Sequence, residues 1–197
     1  HRSIPSTLAG RRVIIAPPQT GCRAANSPGQ SDFIMNAPKN DPAVRAFRDT
    51  LGMFPTGVTV VTTRDGAGRP VGLTVSSFNS VSLVPQLVVW SLSSHLQLVP
   101  ALENAPVYAI NVLAEDQQEL SNRFASRVED RFAGVEFTDG EGGVPLLAGC
   151  CAQFVCRPHA RHPGGDHIVF IDEVIRFERD ADKKPLLFQG GAYQRLA

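Results

Sequence analysis

Gly57-Val58-Thr59-Val60-Val61-Thr62-Thr63, then Asp65-Gly66-Ala67-Gly68-Arg69-Pro70, then Val71-Gly72-Leu73-Thr74-Val75-Ser76-Ser77 is the stretch whose reading decides the fold. The first part is almost entirely β-branched, which restricts χ1 in a helix and suits a pleated surface. The middle concentrates Asp, Gly and Pro, the residues that reverse a chain. The last part returns to strand-forming residues, so the whole reads as a β-hairpin. Upstream, Asp41-Pro42 supplies an N-cap followed by proline at the first helical position. Val44, Phe47 and Leu51 then fall at i, i+3 and i+7, predicting one amphipathic helix that ends near Met53. Downstream, residues 81–84 and 87–92 read as short strands parted at Pro85, and Ser94 as the cap of a short helix over 99–104. Residues 107–113 read as a buried strand and 116–125 as a helix with Leu120 and Phe124 on one face and Arg123 beside them. Residues 149–157 and 167–177 are long strands joined by a polar loop rich in His and Gly, and 186–189 is the last strand. Seven or more short strands with two or three helices predict an all-β protein built as a closed antiparallel barrel. Strands and helices do not alternate, which sets aside a doubly wound sheet.

Composition agrees. The 197 residues suit one domain, and 43% apolar, 19% charged, 17 Gly and 15 Pro suit many strands and turns. Lys plus Arg equals Asp plus Glu at 19 each, which removes the electrostatic case for nucleic acid or an anionic membrane surface. No apolar run approaches the ~18 residues of a membrane-spanning helix. The four cysteines, Cys22, Cys150, Cys151 and Cys156, form no CxxC pair, and a reducing, cytoplasmic setting is expected. Residues 1–34 differ in kind: four Arg face the single acid Asp32, prolines stand at 5, 17, 18 and 28, and no secretory apolar core is present. Met35 opens an ordinary-looking start. The expectation is a disordered or appended N-terminal extension over 1–40 and a working domain over 41–197.

Common catalytic signatures are missing. There is no GxSxG, HExxH, P-loop or EF-hand loop. Gly66, Gly68 and Gly72 imitate a dinucleotide fingerprint, but a strand follows where a helix N-terminus is needed to receive a pyrophosphate. His159, His162, His167 and Asp166 are read as solvated loop residues, because Pro163-Gly164-Gly165 makes a poor frame for a metal site, and no metal is expected. Cys150, Cys151 and Cys156 read as core residues. The informative run is Thr74-Val75-Ser76-Ser77-Phe78-Asn79, with Thr74 and Ser76 on one face and Val75 and Ser77 on the other. Such hydroxyls and strand-end amides bind a phosphate, a ribityl chain or a polar ring edge. A plain polar strand end turning into a loop accounts for them equally well.

The segments Phe54-Pro55-Thr56-Gly57-Val58-Thr59-Val60-Val61-Thr62 and Pro70-Val71-Gly72-Leu73-Thr74-Val75-Ser76-Ser77-Phe78 resemble the short-chain flavin reductase family, the reductase components of two-component monooxygenases. The likeness continues through Ser80-Val81-Ser82-Leu83-Val84-Pro85, Asn111-Val112-Leu113 and Leu120-Ser121-Asn122-Arg123-Phe124-Ala125. It extends to Phe132-Ala133-Gly134-Val135, Gly165-Asp166-His167 and Pro185-Leu186-Leu187-Phe188. The resemblance implies an antiparallel Greek-key, FMN-binding split β-barrel with a few peripheral helices, and a homodimer. It implies that FMN or FAD is bound by Pro70, Val71, Gly72, Leu73, Thr74, Ser76, Ser77, Ser91, Leu92, Ser93, Arg123 and Phe124. NADH or NADPH as co-substrate would meet His167, Phe188, Gln189, Gly190 and Gly191. No catalytic side chain is required, because hydride passes between the two cofactors while protein supplies orientation and water exclusion. The implied activity is an NAD(P)H:flavin oxidoreductase that supplies reduced flavin to a partner oxygenase.

Two positions depart from the pattern. Gln97-Leu98 stands where many relatives carry Arg-Ser, which moves phosphate recognition toward Arg123 or the backbone amides of Ser93 and Ser94. Asp172 stands where Gly is frequent, and is expected either to repel a pyrophosphate or to face solvent. Asp166 is expected to point away from the His167 ring. A flavin store or sensor without turnover stays open as an alternative. A pyridoxine-phosphate oxidase of the same fold is disfavoured, because no Arg or Lys stands between Val71 and Leu113.

Overall fold

The computed structural model describes residues 41–196. The extension expected over 1–40 and Cys22 lie outside the described residues. The hairpin is formed as read: β2 (Thr59–Arg64) pairs antiparallel with β3 (Pro70–Val75), Val61 opposite Leu73. Its turn is held by the Asp65 carboxylate, which accepts from the Ala67 and Arg69 amides at 2.9 Å. Gly68, at φ +77°, occupies the left-handed position that a side chain disfavours.

A two-residue strand, β1 (Thr56–Gly57), precedes it, and β4 (Asn79–Leu83) and β5 (Gln86–Ser93) form a second hairpin. β6 (Tyr108–Val112) crosses back to pair with β2. β7 (Phe137–Asp139) and β8 (Pro145–Leu147) form a separate small ribbon. The two long strands β9 (Ala152–Gly164) and β10 (His167–Arg179) fill the gap, giving a seven-stranded sheet in the order β3-β2-β6-β9-β10-β5-β4. Finally β11 (Leu187–Gln189) and β12 (Ala192–Gln194) join β1 in a three-stranded sheet.

The closed barrel read from strand count is corrected. The sheet curls, but β3 and β4 remain its two edges, and the expected split barrel is what forms. Just before β4, a side chain continues the β4–β5 pairing: Ser77 Oγ donates to the Ser91 carbonyl at 3.1 Å and accepts from the Ser91 N–H at 2.9 Å.

Inside the curl lies one core of Val61, Leu73, Val88, Trp90, Leu92, Leu102, Tyr108, Ile110, Cys156 and Phe170. A second core of Val58, Val60, Leu113, Phe124, Phe132, Leu147 and Leu186 packs on the outer face. Strand alternation explains the division, since Val60 and Val61 are neighbours that face opposite ways. Buried Asn111 ties the small ribbon to the sheet: its Nδ2 donates to the Val60 carbonyl and its Oδ1 accepts from the Leu147 N–H, both at 3.0 Å.

Among the described residues, three short α-helices flank the sheet. In α1 (Pro42–Leu51) Asp41 caps as expected, accepting from the Ala43 N–H at 2.8 Å. Its apolar stripe is not covered by the other described residues, and Phe47 and Leu51 are exposed. α2 (Val99–Glu103) starts from Leu98 without a side-chain cap. Ser94 is therefore not its cap; Ser94 donates from both Oγ and N to the Asp166 carbonyl at 3.0 Å. α3 (Gln118–Ala125) begins two residues later than read. The expected polar loop between β9 and β10 is also corrected, because both strands run on to a tight turn at Gly165-Asp166.

Candidate functional site

β3 pairs with β2 on one side only, so its other edge is open. That edge forms one wall of a cleft of about 720 Å³, within the usual size of a small-molecule site. Of the positions expected to meet flavin, Pro70, Val71, Gly72, Leu73, Thr74 and Phe124 line this cleft together. The opposite wall is the segment after β5, His95 to Leu98, which includes the unusual Gln97-Leu98 pair. The third wall is Ala125 and the loop Arg127 to Phe132, of which the sequence reading quoted only Ala125 and Phe132, and neither as a flavin contact. The one available signal was the spacing of Arg123, Arg127 and Arg131, four residues apart.

The wall is braced from behind. The Thr74 hydroxyl donates to the Ser121 carbonyl of α3 at 2.7 Å. Gly72 packs where no side chain fits: a Cβ there would stand 2.9 Å from the Val61 carbonyl oxygen and 3.0 Å from the Phe124 ring. The Gly72 carbonyl points off the strand edge and accepts from Arg131 Nη1 at 2.8 Å.

The remaining expected residues lie outside the lining. Ser76 and Ser77 sit exposed where β3 has ended, and Ser77 is engaged with Ser91. Ser91 and Ser93 are half-buried on β5, with Leu92 between them in the core. Arg123 does not line the cleft; its Nε donates to the Arg131 carbonyl at 2.7 Å and its Nη2 to the Asp130 carbonyl at 3.3 Å.

His167 opens β10 directly opposite Ser93, so it stands beside the start of the His95–Leu98 wall. The reading that Asp166 points away from the ring is corrected. Asp166 lies in the turn rather than on a strand, and its Oδ1 is 2.8 Å from His167 Nδ1. That contact holds the Asp166 carboxyl below its ordinary range. Phe188, Gln189, Gly190 and Gly191 lie in the other sheet, at the β11–β12 turn, where Gly190 and Gly191 both have positive φ. The Gly190 N–H donates to the Gly52 carbonyl at 2.8 Å, and Phe188 packs edge-on against Tyr193. α3 connects this hairpin to the cleft: Ser121 receives Thr74 on its carbonyl and meets the Tyr193 hydroxyl with its own at 2.8 Å.

Asp172 neither faces solvent nor meets a ligand. It is fully buried in the barrel, 2.6 Å from Arg161 Nη1, and accepts from Trp90 Nε1 at 2.8 Å. Burial drives its carboxyl above the ordinary range, and the Trp90 donor pulls it back. The guanidinium 2.6 Å away acts in the same sense as Trp90, favouring the ionised carboxylate against the burial that disfavours it. The cysteines are core residues: Cys150, Cys151 and Cys156 are buried and free, and burial pushes the Cys150 and Cys156 thiols up to about 12. Among the described residues, no three His, Cys, Asp or Glu side chains come together as a metal site. A smaller cleft of about 330 Å³ beside Gly149, Cys150 and Lys183 shares no lining residue with the first.

Comparison with known proteins is consistent along most of the chain. Residues 51–197 match the family model described as the flavin reductase like domain. The chain is 46% identical over 154 residues to the FMN reductase (NADH) SmoA of Agrobacterium fabrum, covering 78% of this chain and 86% of that one. It is 41% identical over 162 residues to the flavin-dependent monooxygenase reductase subunit HsaB of Rhodococcus jostii, covering 82% of each. The structure of the Streptomyces globisporus NADH:FAD oxidoreductase SgcE6 with NAD and FAD fragments superposes with a TM-score of 0.75 at 39% identity, covering 80% of this chain and 95% of that one.

Proposed function

This chain belongs to the flavin reductase-like family, and from that premise we propose that it is an NADH-dependent flavin reductase whose FMN or FAD occupies the cleft along β3. The single observation that carries the placement is the open edge of β3 along that cleft. The donor set fits a flavin. Gly72 turns its backbone outward, its carbonyl held by Arg131, and by strand alternation Thr74 presents its backbone groups on the same side, so the edge offers the Gly72 N–H and the Thr74 N–H and carbonyl to a pyrimidine ring. When bound, flavin supplies the hydride acceptor and the nicotinamide the donor.

The protein's part is position. Phe124 and Gly72 fix the wall by close packing, and Arg131 fixes the loop to the wall. His167, its ring oriented by Asp166, and the Phe188–Gly191 turn are assigned to the nicotinamide nucleotide. Support for turnover rather than storage comes from the relatives, which are named as NADH-dependent enzymes. Those named as monooxygenase reductase subunits support an oxygenase as recipient of the reduced flavin.

Three further assignments belong to this reading. A second copy of the chain covers the apolar residues Phe47, Leu51, Met53 and Phe54, all exposed in the single chain. The buried free thiols suit a reducing, cytoplasmic compartment. The working domain is 41–197, so removal of residues 1–40 leaves flavin affinity unchanged.

The test is NADH oxidation on addition of FMN or FAD, with NADPH in parallel and a His167 variant as probe. Steady NADH consumption that saturates in flavin is expected. His167→Ala raises the NADH KM while leaving flavin affinity in place. Flavin binding without NADH consumption returns the protein to the storage class.

A further inference from the structure

Arg123, Arg127 and Arg131 share one segment, yet the structure gives them different work. Arg123 is committed to the Asp130 and Arg131 carbonyls. Arg131 is committed on three nitrogens: Nη1 to Gly72, and Nε and Nη2 to the Ser126 carbonyl at 3.1 and 2.6 Å. Together they stitch the segment after α3 to its own helix and to β3. Between them Arg127 is exposed and lines the cleft, and among the described residues nothing accepts a hydrogen bond from its side chain.

A guanidinium whose donors are spent on carbonyls cannot also grip an anion, whereas an uncommitted one presents a planar fork that matches phosphate oxygens. The facing wall brings His95 and Gln97 but no Lys or Arg. Glu129 and Asp130 stand on the same wall as Arg127, and Asp130 turns into its own loop, where its Oδ1 accepts from the Phe132 N–H at 2.9 Å.

We propose that Arg127 is the specificity-determining cation of this cleft: it meets the phosphate of the flavin nucleotide, while Arg123 and Arg131 are positioning residues that hold the loop carrying it. This rests on the flavin reading above and replaces Arg123 as the phosphate partner. It also accounts for Gln97-Leu98, since the cation is delivered from the loop across the cleft instead.

The experiment compares FMN with riboflavin, which lacks the phosphate, by quenching of flavin fluorescence in the wild type, Arg127→Ala and Arg127→Lys. Because Arg127 is exposed and its side chain makes no hydrogen bond or ion pair among the described residues, melting curves of the variants should overlay the wild type. A charge-assisted contact predicts that Arg127→Ala weakens FMN about 10- to 100-fold. Riboflavin affinity stays unchanged, and Arg127→Lys recovers part of the loss. Added salt should weaken FMN binding in the wild type and have little effect in Arg127→Ala. Equal losses for FMN and riboflavin, or an unchanged FMN affinity, overturn the assignment of Arg127. A wild type that prefers FMN no more than riboflavin overturns it as well. A wild type that binds neither ligand overturns the flavin reading itself.

Discussion

The interior of the curled sheet and the rim of the cleft use arginine in opposite ways. Inside, Arg161 is matched by the carboxylate of Asp172, lies 4.3 Å over the Phe170 ring and reaches the Tyr108 hydroxyl at 3.3 Å. Trp90 closes the other side of that cluster, stacked on Phe170 at 4.1 Å and donating to Asp172. At the rim, Arg123 and Arg131 bond only backbone carbonyls, and Arg127 is left for solvent or ligand. In the dry interior a charge must be cancelled, since desolvation without a partner costs several kcal/mol. At the wet rim neutral carbonyls suffice for Arg123 and Arg131 to order a loop, and Arg127 keeps its donors for use. The interior cluster therefore governs whether the sheet holds its shape, and the rim governs what enters the cleft.

The largest effect expected from this contrast is at Asp172. Asp172→Ala strands the buried Trp90 N–H and leaves the Arg161 guanidinium, which still donates to the Ala160 carbonyl, without its counter-charge, and is expected to cost about 3–5 kcal/mol in urea denaturation. Replacing both partners, Asp172→Ala with Arg161→Leu, should recover much of that loss. A single substitution that barely moves the midpoint would show that the interior pair is idle and the contrast false.

Next comes the rim. Arg131→Ala removes the link from the loop to Gly72 and Ser126, and is expected to weaken flavin binding by about 1.5–3 kcal/mol. Arg131→Lys should restore little, because one ammonium cannot bridge two carbonyls that a planar fork spans. Hydrogen exchange over residues 126–132 should quicken in both variants while the core strands keep their protection. Full rescue by lysine would mean that charge alone, not geometry, orders the loop.

The smallest effect concerns the buried thiols, which carry the interior rule to a neutral group. Burial pushes the Cys150 and Cys156 thiols up to about 12 in the folded state, against about 8.5 when unfolded. The folded state holds each proton more tightly, so this contribution is fully present below about pH 8.5 and is lost as pH rises toward 12. Each thiol lowers stability by at most about 1.4 kcal/mol per pH unit across that window. Urea midpoints followed from neutral pH to about 10 in wild type and Cys156→Ala should diverge in slope. Parallel slopes would place the Cys156 thiol in water.

The split between what sequence and tertiary structure decided follows the range of the interactions. Local chemistry made the Asp65 turn, the β2–β3 hairpin and the Asp41 cap legible, because each is specified by residues within a few positions of one another. Ordered resemblance carried the family and the Pro70–Thr74 wall. Residues 158–164 were misread as loop because their polar, His- and Pro-bearing composition gives no strand signal, and pairing with β10 overrides it. Asp172 was misread because a carboxylate on a strand looks solvent-facing until Arg161, eleven residues away across the β9–β10 pairing, is placed beside it. The assignment of Arg127 needed the fold as well: three arginines at equal spacing are equivalent in sequence, and only the position of the Gly72, Ser126, Asp130 and Arg131 carbonyls decides which of them is left uncommitted. Sequence alone determined the strand-rich chain, its turns and its family. The tertiary structure decided which charges are cancelled and which are offered to a ligand, because partners brought together from distant strands settle each charge's solvation.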